Sequence, residues 1–326
     1  MSLLDQLNLG GSTGASGLSP ATFEELRRFI HERTGIYFRD NKRYLMESRL
    51  NRRLSSLGLA DFEAYLRFLQ TPAARSELTE LVNAVTINET YFFRHAEQHE
   101  LFVKEILPTL IEGRLSKGQR RVRLWSAASS TGDEAYTLAL LILEHVRPRY
   151  PQVSFEIVGT DIDTEVVARA RKGTYGAYAV RNVPPDLMRK YFASASDGRT
   201  ESYQLDAKVR AMVSFRQTNL ADRAQMQRMR DVDAAFCANV LIYFDQAVKE
   251  RVVGSLYQSL REGGYLFVGV SETLYGVTQA FQPVRFAQAV AYRKEAPTAT
   301  VVTPTVGLPA AAPSRPGSLH APTPHA

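Results

Sequence analysis

The chain has 326 residues, of which 44% are hydrophobic and 23% are charged, enough for a large core divided between about two domains. Its longest apolar run is 138–143, far short of the roughly 20 residues of a transmembrane helix, so we expect no membrane insertion. The single cysteine, Cys237, excludes an internal disulfide framework and a multi-cysteine metal site. The net charge of +6 favours an acidic partner, such as nucleic acid, anionic lipid or an acidic protein surface.

Both ends of the chain differ in composition from the middle. Residues 1–19 are rich in small residues and lack the basic and apolar segments of a signal peptide, so we predict a flexible lead and a cytoplasmic protein. Residues 296–326 hold seven of the fifteen prolines. Because such a segment has too little apolar surface to offset its ordering entropy, we predict a disordered tail, either a spacer or a tether that docks elsewhere.

Residues 20–86 predict a small helical domain without strands. Thr22 followed by Glu25 resembles a capping box at the start of the first helix. Apolar residues then recur at helical spacing, which is typical of a bundle with short connections. The further helices are predicted over about 42–57, 62–69 and 76–85.

Basic residues follow one face of the second predicted helix. Lys42, Arg49 and Arg53 have the i, i+7, i+11 spacing of a single face. Such a face is either ordinary solvated surface or a docking site for an acidic partner.

The pattern changes at residue 121, where short β-rich runs alternate with helical stretches. This alternation is typical of βαβ units on a mostly parallel sheet with helices on both faces. We therefore predict a doubly wound α/β domain over 121–295, joined to the helical domain by a linker, 87–120. The predicted strands cover 122–125, 154–161, 212–217, 233–240 and 264–270, and the predicted helices cover 133–146, 164–171 and 246–260.

An insertion of about forty residues, 173–211, interrupts this alternation. It contains Tyr175, Tyr178, a Val-Pro-Pro turn at 183–185 and an alternating segment around Tyr203. Because alternation is typical of strands, we predict a small inserted β-subdomain.

The tips of four predicted strands carry residues suited to a ligand site. In a doubly wound sheet, ligands bind at the carboxyl ends of the strands, where the connections diverge. The first strand leads into a loop of small residues followed by Asp133 and Glu134. These acids would repel a pyrophosphate and favour a ligand with an ammonium or sulfonium centre. The other tips offer Asp161, placed to hydrogen-bond ribose hydroxyls, Asn219, and Asn239 with Tyr243 nearby.

An adenosyl ligand with a positively charged amino-acid end fits these tips better than a nucleotide does. Each residue alone also has a structural interpretation: Asp161 as a helix cap, Asn239 as a turn residue and Tyr243 as part of the core. The four tips together are harder to explain by structure alone.

The remaining metal-binding residue types give no site. His95 and His99 are four residues apart on a predicted helix, a spacing that can bind metal, but no third ligand follows in the sequence. We therefore expect solvent-facing histidines and no metal. Cys237 is predicted to be a small buried residue.

An ordered series of motifs resembles the CheR-type chemoreceptor glutamate methyltransferases. Residues 86–94 (TINETYFFR) are similar to that family's TxNxTxFFR segment, and 126–137 (SAASSTGDEAYT) to its SAxxSTGEEPYS loop. The resemblance extends over about 20–293. Its other motifs lie at 35–54 (GIYFRDNKRYLMESRLNRRL), 159–163 (GTDID), 175–192 in the insert, 218–220 (TNL), 236–245 (FCANVLIYFD) and 269–274 (GVSETL).

The resemblance implies a Rossmann-like enzyme that methylates receptor glutamate carboxylates. The implied cofactor is S-adenosylmethionine, with S-adenosylhomocysteine as product. The implied partner is the cytoplasmic domain of a methyl-accepting chemoreceptor or a similar acidic helical protein. We expect no nucleic acid and a monomeric enzyme.

The resemblance also implies site residues by position. Arg94 and Tyr243 would be closest to the transfer, and we hypothesise that Arg94 orients the incoming carboxylate by a bidentate hydrogen bond. Glu134 would hold the methionine ammonium and Asp161 the ribose. The implied cofactor-binding residues are Asn88, Thr90, Arg94, Glu134, Asp161, Asn219, Leu220, Asn239 and Val240, and the implied docking residues are Lys42, Arg49 and Arg53.

One departure from the family leaves alternatives open. Ala238 stands where the family usually has arginine, before Asn239, which allows altered specificity or a non-catalytic cofactor-binding module. A methyltransferase of the same fold acting on RNA, DNA or a small molecule is a further alternative, although 239–242 lacks the Asn-Pro-Pro-Tyr-like tip of many N-methylating enzymes. The insert resembles a subdomain that in some members binds a receptor C-terminal peptide.

Overall fold

The computed structural model describes residues 17–195, 201–286 and 289–295. The predicted tail and all but the last three residues of the predicted lead lie outside the described residues. Within the described ranges, none of the helices combines the length and apolarity needed to span a bilayer. The α/β fold class with an N-terminal helical domain is confirmed.

The N-terminal bundle packs its helices around one apolar core, which includes the buried Leu26, Met46 and Tyr65. Because apolar residues recur at helical spacing, each helix turns one stripe inward. The helices are α1 (Pro20–Thr34), α2 (Arg43–Leu57), α3 (Phe62–Leu69) and α4 (Arg75–Val85).

The first helix begins before the residue that the capping-box interpretation gave. Ser19 is the N-cap, because its hydroxyl accepts a hydrogen bond from the Thr22 N–H at 3.2 Å. Pro20 occupies the first turn, where its missing N–H costs nothing. The Thr22 hydroxyl instead donates to Glu63 of α3 at 2.5 Å, so it joins two helices.

A glycine is required at position 35, where the bundle meets the α/β domain. Gly35 has a φ of +77°, a left-handed conformation that residues with a Cβ avoid. A Cβ there would lie 2.8 Å from Ala221 and 2.9 Å from Val248. Two residues later, the Tyr37 N–H donates to the Tyr243 carbonyl at 2.9 Å. A hydrogen bond therefore joins the bundle directly to the segment that carries Tyr243 of the predicted site.

The α/β domain alternates strands and helices in chain order. It begins in 87–120 with α5 (Ala96–Leu101), in the helix predicted around His95 and His99. A π-helical turn then leads into α6 (Leu107–Leu115), which the sequence did not predict. The later elements are β1 (Arg121–Ala127), α7 (Asp133–Leu141), β2 (Ser154–Asp161), α8 (Thr164–Lys172), β3 (Thr174–Gly176), α9 (Ala177–Val180), α10 (Pro185–Tyr191), β4 (Phe192–Ser194), β5 (Ser202–Leu205), α11 (Ala207–Arg210), β6 (Val213–Gln217), α12 (Arg223–Met226), β7 (Val232–Cys237), α13 (Gln246–Ser259), β8 (Leu260–Val268), β9 (Phe281–Arg285) and β10 (Val290–Lys294).

The central sheet of the described residues has seven strands in the order β6-β2-β1-β7-β8-β10-β9. β1 pairs in parallel with β2 on one side and with β7 on the other. Because the connections diverge at β1, a crevice opens at the carboxyl ends of these strands. The antiparallel pair β9–β10 was not predicted. Pro283 argues against a strand in sequence, and it is tolerated here because β9 lies at the sheet edge.

Two apolar cores cover the two faces of this sheet. Helices α6 and α7 contribute to one core, and α13 contributes to the other. Leu124 belongs to the first core and Trp125 to the second, because successive side chains of a strand point to opposite faces.

The insert contains the predicted small sheet, with antiparallel order β3-β5-β4. Its aromatic residues pack on Phe92 from the predicted linker: the ring of Tyr175 lies 4.8 Å away and that of Phe192 lies 5.2 Å away. The Phe92 N–H donates to the Ala179 carbonyl at 3.0 Å. The insert is therefore fixed to the segment that carries the TINETYFFR motif.

Candidate active site

A cleft opens where the carboxyl ends of β2, β1 and β7 meet the bundle, with about 1020 Å³ of empty space including the part open to solvent. The fold brings every predicted cofactor-binding residue and both predicted catalytic residues to its wall. These are Asn88, Thr90, Arg94, Glu134, Asp161, Asn219, Leu220, Asn239, Val240 and Tyr243.

Two carboxylates in the cleft are enclosed by protein. Glu134 accepts a hydrogen bond from the Ser126 hydroxyl at 2.7 Å, and desolvation raises its pKa to about 7 against the opposing positive charge of Arg94. Asp161 accepts from the Ser130 N–H at 2.9 Å, and burial raises its pKa to about 6. Enclosed carboxylates are stabilised in their charged form by a cation, so both suit a ligand with a positive end.

Asn88 fixes the predicted linker to the sheet. Its Nδ2 donates to Asp163 Oδ2 at 2.6 Å, and the Thr86 hydroxyl donates to the same oxygen at 2.9 Å. The Asn88 carbonyl accepts from the Ser130 hydroxyl at 3.1 Å. Asn88 therefore lines the cleft while part of its side chain is occupied by Asp163, a residue that sequence reasoning did not select.

Backbone conformations that are unusual for residues with a Cβ concentrate here. In the described residues, four of the five non-glycine positions with positive φ lie in or next to the cleft. Such conformations persist where the surrounding contacts hold them, which is common at functional sites. The four are Phe93 (58°), Ala128 (82°), Ser130 (47°) and Asn239 (61°).

Glu272 holds the loop that follows β7, and it was not among the predicted site residues. Its carboxylate accepts from the N–H groups of Asn239 at 2.7 Å, Gly269 at 2.8 Å and Ile242 at 3.2 Å. Glu272 lies in the GVSETL motif, so the motif marked the segment. Only the tertiary contact gives the side chain its role.

The prediction that His95 and His99 face solvent is wrong. His95 Nε2 lies 2.8 Å from Asn239 Oδ1, so in this contact the nitrogen carries the proton. His99 is 2% exposed, and neither ring nitrogen has a hydrogen-bond partner among the described residues. Burial lowers the pKa of His99 to about 3, so its imidazole is neutral. Both side chains line the cleft. Among the described residues, no cluster of three or more His, Cys, Asp or Glu side chains could hold a metal ion.

Arg94 and Tyr243 both line the cleft, but their surroundings differ. Arg94 Nη1 donates to the Glu89 carbonyl at 2.6 Å. Burial raises the pKa of Tyr243, while the positive charges of Arg49 and Arg94 oppose that rise. The cleft lining therefore includes both a cationic guanidinium, from Arg94, and a phenol, from Tyr243.

Two of the three predicted docking residues make internal contacts, which corrects the expectation of one free basic face. Arg53 forms a two-point pair with Glu77, with Nε–Oε1 at 2.9 Å and Nη2–Oε2 at 2.6 Å. Arg49 donates to the Thr86 carbonyl at 3.2 Å and is half-buried, which lowers its pKa. Of the three, only Lys42 is exposed. Docking through Lys42, Arg49 and Arg53 stays a prediction.

Ala238 lines the cleft in place of the arginine that the resemblance led us to expect. Its neighbour Cys237 is fully buried, as predicted. With alanine at position 238, Arg94 is the arginine among the residues that line this cleft.

Comparison with known proteins identifies the family. Residues 88–290 match the family model described as the S-adenosylmethionine-binding domain of CheR methyltransferases, and residues 21–86 match the model of the all-alpha domain. The chain belongs to the CheR methyltransferase family. Chemotaxis protein methyltransferase 2 of Vibrio cholerae is 38% identical over 277 residues, which cover 85% of this chain and 94% of that protein.

Further relatives agree with the CheR assignment. Chemotaxis protein methyltransferase 1 of Pseudomonas aeruginosa is 34% identical over 277 residues, with 84% of this chain and 97% of that protein covered. Among solved structures, the N-methyltransferase NodS of Bradyrhizobium japonicum, in complex with S-adenosylhomocysteine, has 14% identity and a TM-score of 0.33, covering 59% of this chain and 86% of its own. The CheR assignment rests on the family models and the chemotaxis relatives.

The cleft of this CheR protein fits S-adenosylmethionine, the predicted cofactor. Glu134 and Asp161 offer enclosed carboxylates for a cation and for hydroxyl groups. The neutral His99 adds no positive charge that would oppose a sulfonium. The protein is therefore an S-adenosylmethionine-dependent methyltransferase.

Proposed function

We propose that the protein methylates side-chain carboxylates of glutamates in the cytoplasmic helices of chemoreceptors, which produces glutamyl methyl esters. The chemotaxis relatives support this acceptor class. The observation that carries the proposal is that the Arg94 guanidinium and the Tyr243 phenol line the cofactor cleft together. A guanidinium and a phenol both donate hydrogen bonds that a carboxylate acceptor can receive. Because the acceptor helices are cytoplasmic, we place the enzyme in the cytoplasm.

The chemistry asks the chain for positioning rather than for proton transfer. When bound, S-adenosylmethionine supplies an electrophilic methyl group on a positively charged sulfonium. A glutamate with a pKa near 4.3 is already ionised at neutral pH, so no general base is needed. Arg94 orients this carboxylate by a bidentate hydrogen bond, and the Tyr243 hydroxyl donates a further hydrogen bond beside it. Alignment of this kind contributes at best about 7–11 kcal/mol.

Other cleft residues hold the cofactor. Glu134 binds the methionine ammonium and Asp161 the ribose hydroxyls, while Asn219 and Leu220 border the adenine. The Asn219 side chain already donates a hydrogen bond to the Arg33 carbonyl at 2.7 Å, so its contribution is to the shape of the cleft wall beside the adenine. Thr90, Asn239 and Val240 complete the enclosure.

The acidic receptor helices dock on exposed basic residues of the bundle. Arg39, Lys42, Arg43 and Arg52 are exposed at the start of α2 and along it. Arg49 connects this surface to the cleft, because it donates a hydrogen bond to the carbonyl of Thr86, which lines the cleft. A helix bound there brings its glutamates towards Arg94. We propose a monomeric enzyme that uses this surface.

The test is transfer of labelled methyl from S-adenosylmethionine to a receptor cytoplasmic fragment, followed by mild alkali. Glutamyl esters hydrolyse and release volatile methanol, whereas methyl groups on nitrogen or nucleic acid stay bound. Volatile label that the Arg94→Ala variant does not produce supports the proposal. Alkali-stable label would assign another acceptor, and no transfer despite cofactor binding would indicate a binding module.

A further inference from the structure

The insert contacts the predicted catalytic arginine through a group of side chains at the edge of the cleft. We infer that Arg181, on the insert, is a positioning residue that holds Arg94 in place for methyl transfer. The group, called here the rim cluster, consists of Glu89, Tyr91, Arg94, Tyr178 and Arg181. The inference rests on the role proposed for Arg94, and it goes further by giving the insert a part in transfer.

Arg181 lies between two tyrosine rings. Its guanidinium carbon is 3.6 Å from the ring centroid of Tyr91 and 3.7 Å from that of Tyr178. Its Nη1 also donates to the Tyr178 carbonyl at 2.5 Å. The two rings are inclined at 79° to each other, so the planar guanidinium can stack on at most one of them while it contacts the other as a cation. An ammonium does not reproduce this arrangement. Because Tyr91 lines the cleft, Arg181 fixes one wall of the site from outside.

Arg94 is connected to this stack by two routes. Its guanidinium carbon lies 5.7 Å from the ring centroid of Tyr91, the ring that Arg181 covers. Its Nη1 donates to the Glu89 carbonyl at 2.6 Å, and the Glu89 carboxylate accepts from the Tyr178 hydroxyl at 3.2 Å. Both contacts of the Arg94 guanidinium thus lead to the insert.

The rim cluster is not what keeps the insert folded. The insert is anchored by the buried Tyr175 and Phe192, which pack on Phe92. Tyr178 is 55% exposed and Arg181 is exposed, so their loss opens little buried surface. What the cluster does restrict is the conformation of Arg94, a side chain with much rotamer freedom to lose. That restriction is a requirement of transfer rather than of folding.

The experiment compares Arg181→Ala with wild type in methyl transfer to the receptor fragment. We expect kcat to fall by about 10- to 100-fold, the effect of displacing a positioned group by roughly 1 Å. The dissociation constant of S-adenosylhomocysteine and the unfolding temperature should stay unchanged. Arg181→Lys should recover only part of kcat, because it keeps the charge but loses the planar stack. Arg189→Ala, which removes an exposed arginine from the same insert, is the matched control and should behave as wild type.

A double-mutant cycle with Arg94→Ala decides whether the two arginines act together. If Arg181 works through Arg94, the double variant should be no slower than Arg94→Ala alone, whereas independent effects multiply. Multiplying effects, or a wild-type kcat in Arg181→Ala, would overturn the inference. Loss of S-adenosylhomocysteine binding together with kcat would overturn it too, since the change would then be structural. Failure of the acceptor proposal is seen separately, as alkali-stable label from the wild-type enzyme.

Discussion

At the residue scale, Glu134, Asp161 and His99 have protonation equilibria set by enclosure in the cleft. The pKa of Glu134 is raised to about 7 and that of Asp161 to about 6, while that of His99 is lowered to about 3. All three shifts favour the neutral form, because desolvation penalises charge. The ligand-free cleft is thus less charged than its composition indicates, and a cationic ligand reverses this for the acids.

Binding of S-adenosylhomocysteine should therefore weaken as the pH falls. Glu134 must be ionised to hold the ligand's ammonium, so below pH about 7 each unit costs up to about tenfold in affinity. Asp161 adds to the loss below pH about 6, and the charges of Arg94 and Glu272 act on Glu134 throughout. Calorimetry from pH 8 to 5.5 measures the effect. Glu134→Gln should bind weakly at pH 8 and lose the step near pH 7; a flat wild-type profile would contradict the assigned role.

Replacing His99 by phenylalanine should raise the free energy of unfolding of the ligand-free protein by about 1 kcal/mol, since two buried nitrogens without partners in the described residues are removed. The new ring would lie beside Phe236, whose centroid is 5.8 Å from that of His99. Urea unfolding measures the change. His95→Phe is the control, and it should be destabilised because it loses the contact with Asn239. A destabilised His99→Phe would mean that the imidazole has a partner.

Arg94→Ala should lower kcat by at least about 100-fold while the affinity for S-adenosylhomocysteine changes little. The reason is that the proposed bidentate bond is made to the acceptor carboxylate rather than to the cofactor. Arg94→Lys should retain part of kcat, because it keeps the charge without the planar fork. Single-turnover transfer and ligand titration separate the two quantities. Equal losses in both would remove Arg94 from the acceptor side of the site.

At the scale of elements, one buried aspartate joins α6, β7 and β8 at the sheet end opposite the cleft. Asp233 is fully buried and accepts hydrogen bonds from Arg114 Nε at 2.8 Å and from the Arg123 N–H at 2.8 Å. It also forms an ion pair with the Arg261 guanidinium. Because these contacts lie far along the strands from the cofactor loops, they act on stability and leave the chemistry alone. Removal of the Asp233 carboxylate would leave Arg114 and Arg261 without their shared anion.

Asp233→Ala should lower the free energy of unfolding by about 3–5 kcal/mol, the usual cost of breaking a buried ion pair from one side. The matched control is Asp231→Asn, which removes the charge of a 57%-exposed partner 3.1 Å from the same Arg114 and should cost less than about 1 kcal/mol. Asparagine is used because Asp231 has a φ of +55°, which asparagine tolerates better than alanine. Denaturant unfolding gives both values. Equal effects of the two variants would show that burial of the pair is not what matters.

At the scale of the whole molecule, the bundle and the α/β domain form one site between them. The close contact at Gly35 and the bond from Tyr37 to Tyr243 join them next to the cleft. The net charge of +6 favours association with acidic helices. Exposed basic residues of the bundle, such as Lys42 and Arg43, are the proposed contacts for these helices.

Reversing the charge of Lys42 and Arg43 to glutamate should slow receptor methylation more at about 20 mM salt than at about 500 mM, because salt screens exposed charges. The control pair, Lys117→Glu with Arg120→Glu, carries the same charge change near the opposite end of β1 and should have a smaller effect. Initial rates with a receptor fragment measure both. A salt-independent difference would exclude docking at this face. Arg53 is unsuitable for this test, because its reversal breaks the pair with Glu77.

Local patterns in the chain were enough to predict most of the fold. Helical spacing located the bundle, and strand–helix alternation located the parallel sheet, because both depend on residues within a few positions of each other. The pair β9–β10 and helix α6 were missed. Pro283 makes β9 look unlike a strand in the sequence. The helix packs in a core with residues of the sheet, and these contacts cannot be seen in the sequence of the helix alone.

The sequence by itself determined the class of ligand: acids and amides at the strand tips, in the family's order, specify an adenosyl cofactor with a cationic end. Only the tertiary structure decided which polar groups remain for that ligand. The side chains of Asn88 and Asn219 are occupied by Asp163 and by the Arg33 carbonyl, whereas the nitrogens of His99 have no partner among the described residues. The physical reason is that hydrogen-bond partners and desolvation depend on neighbours distant in the chain, and only packing brings those neighbours together.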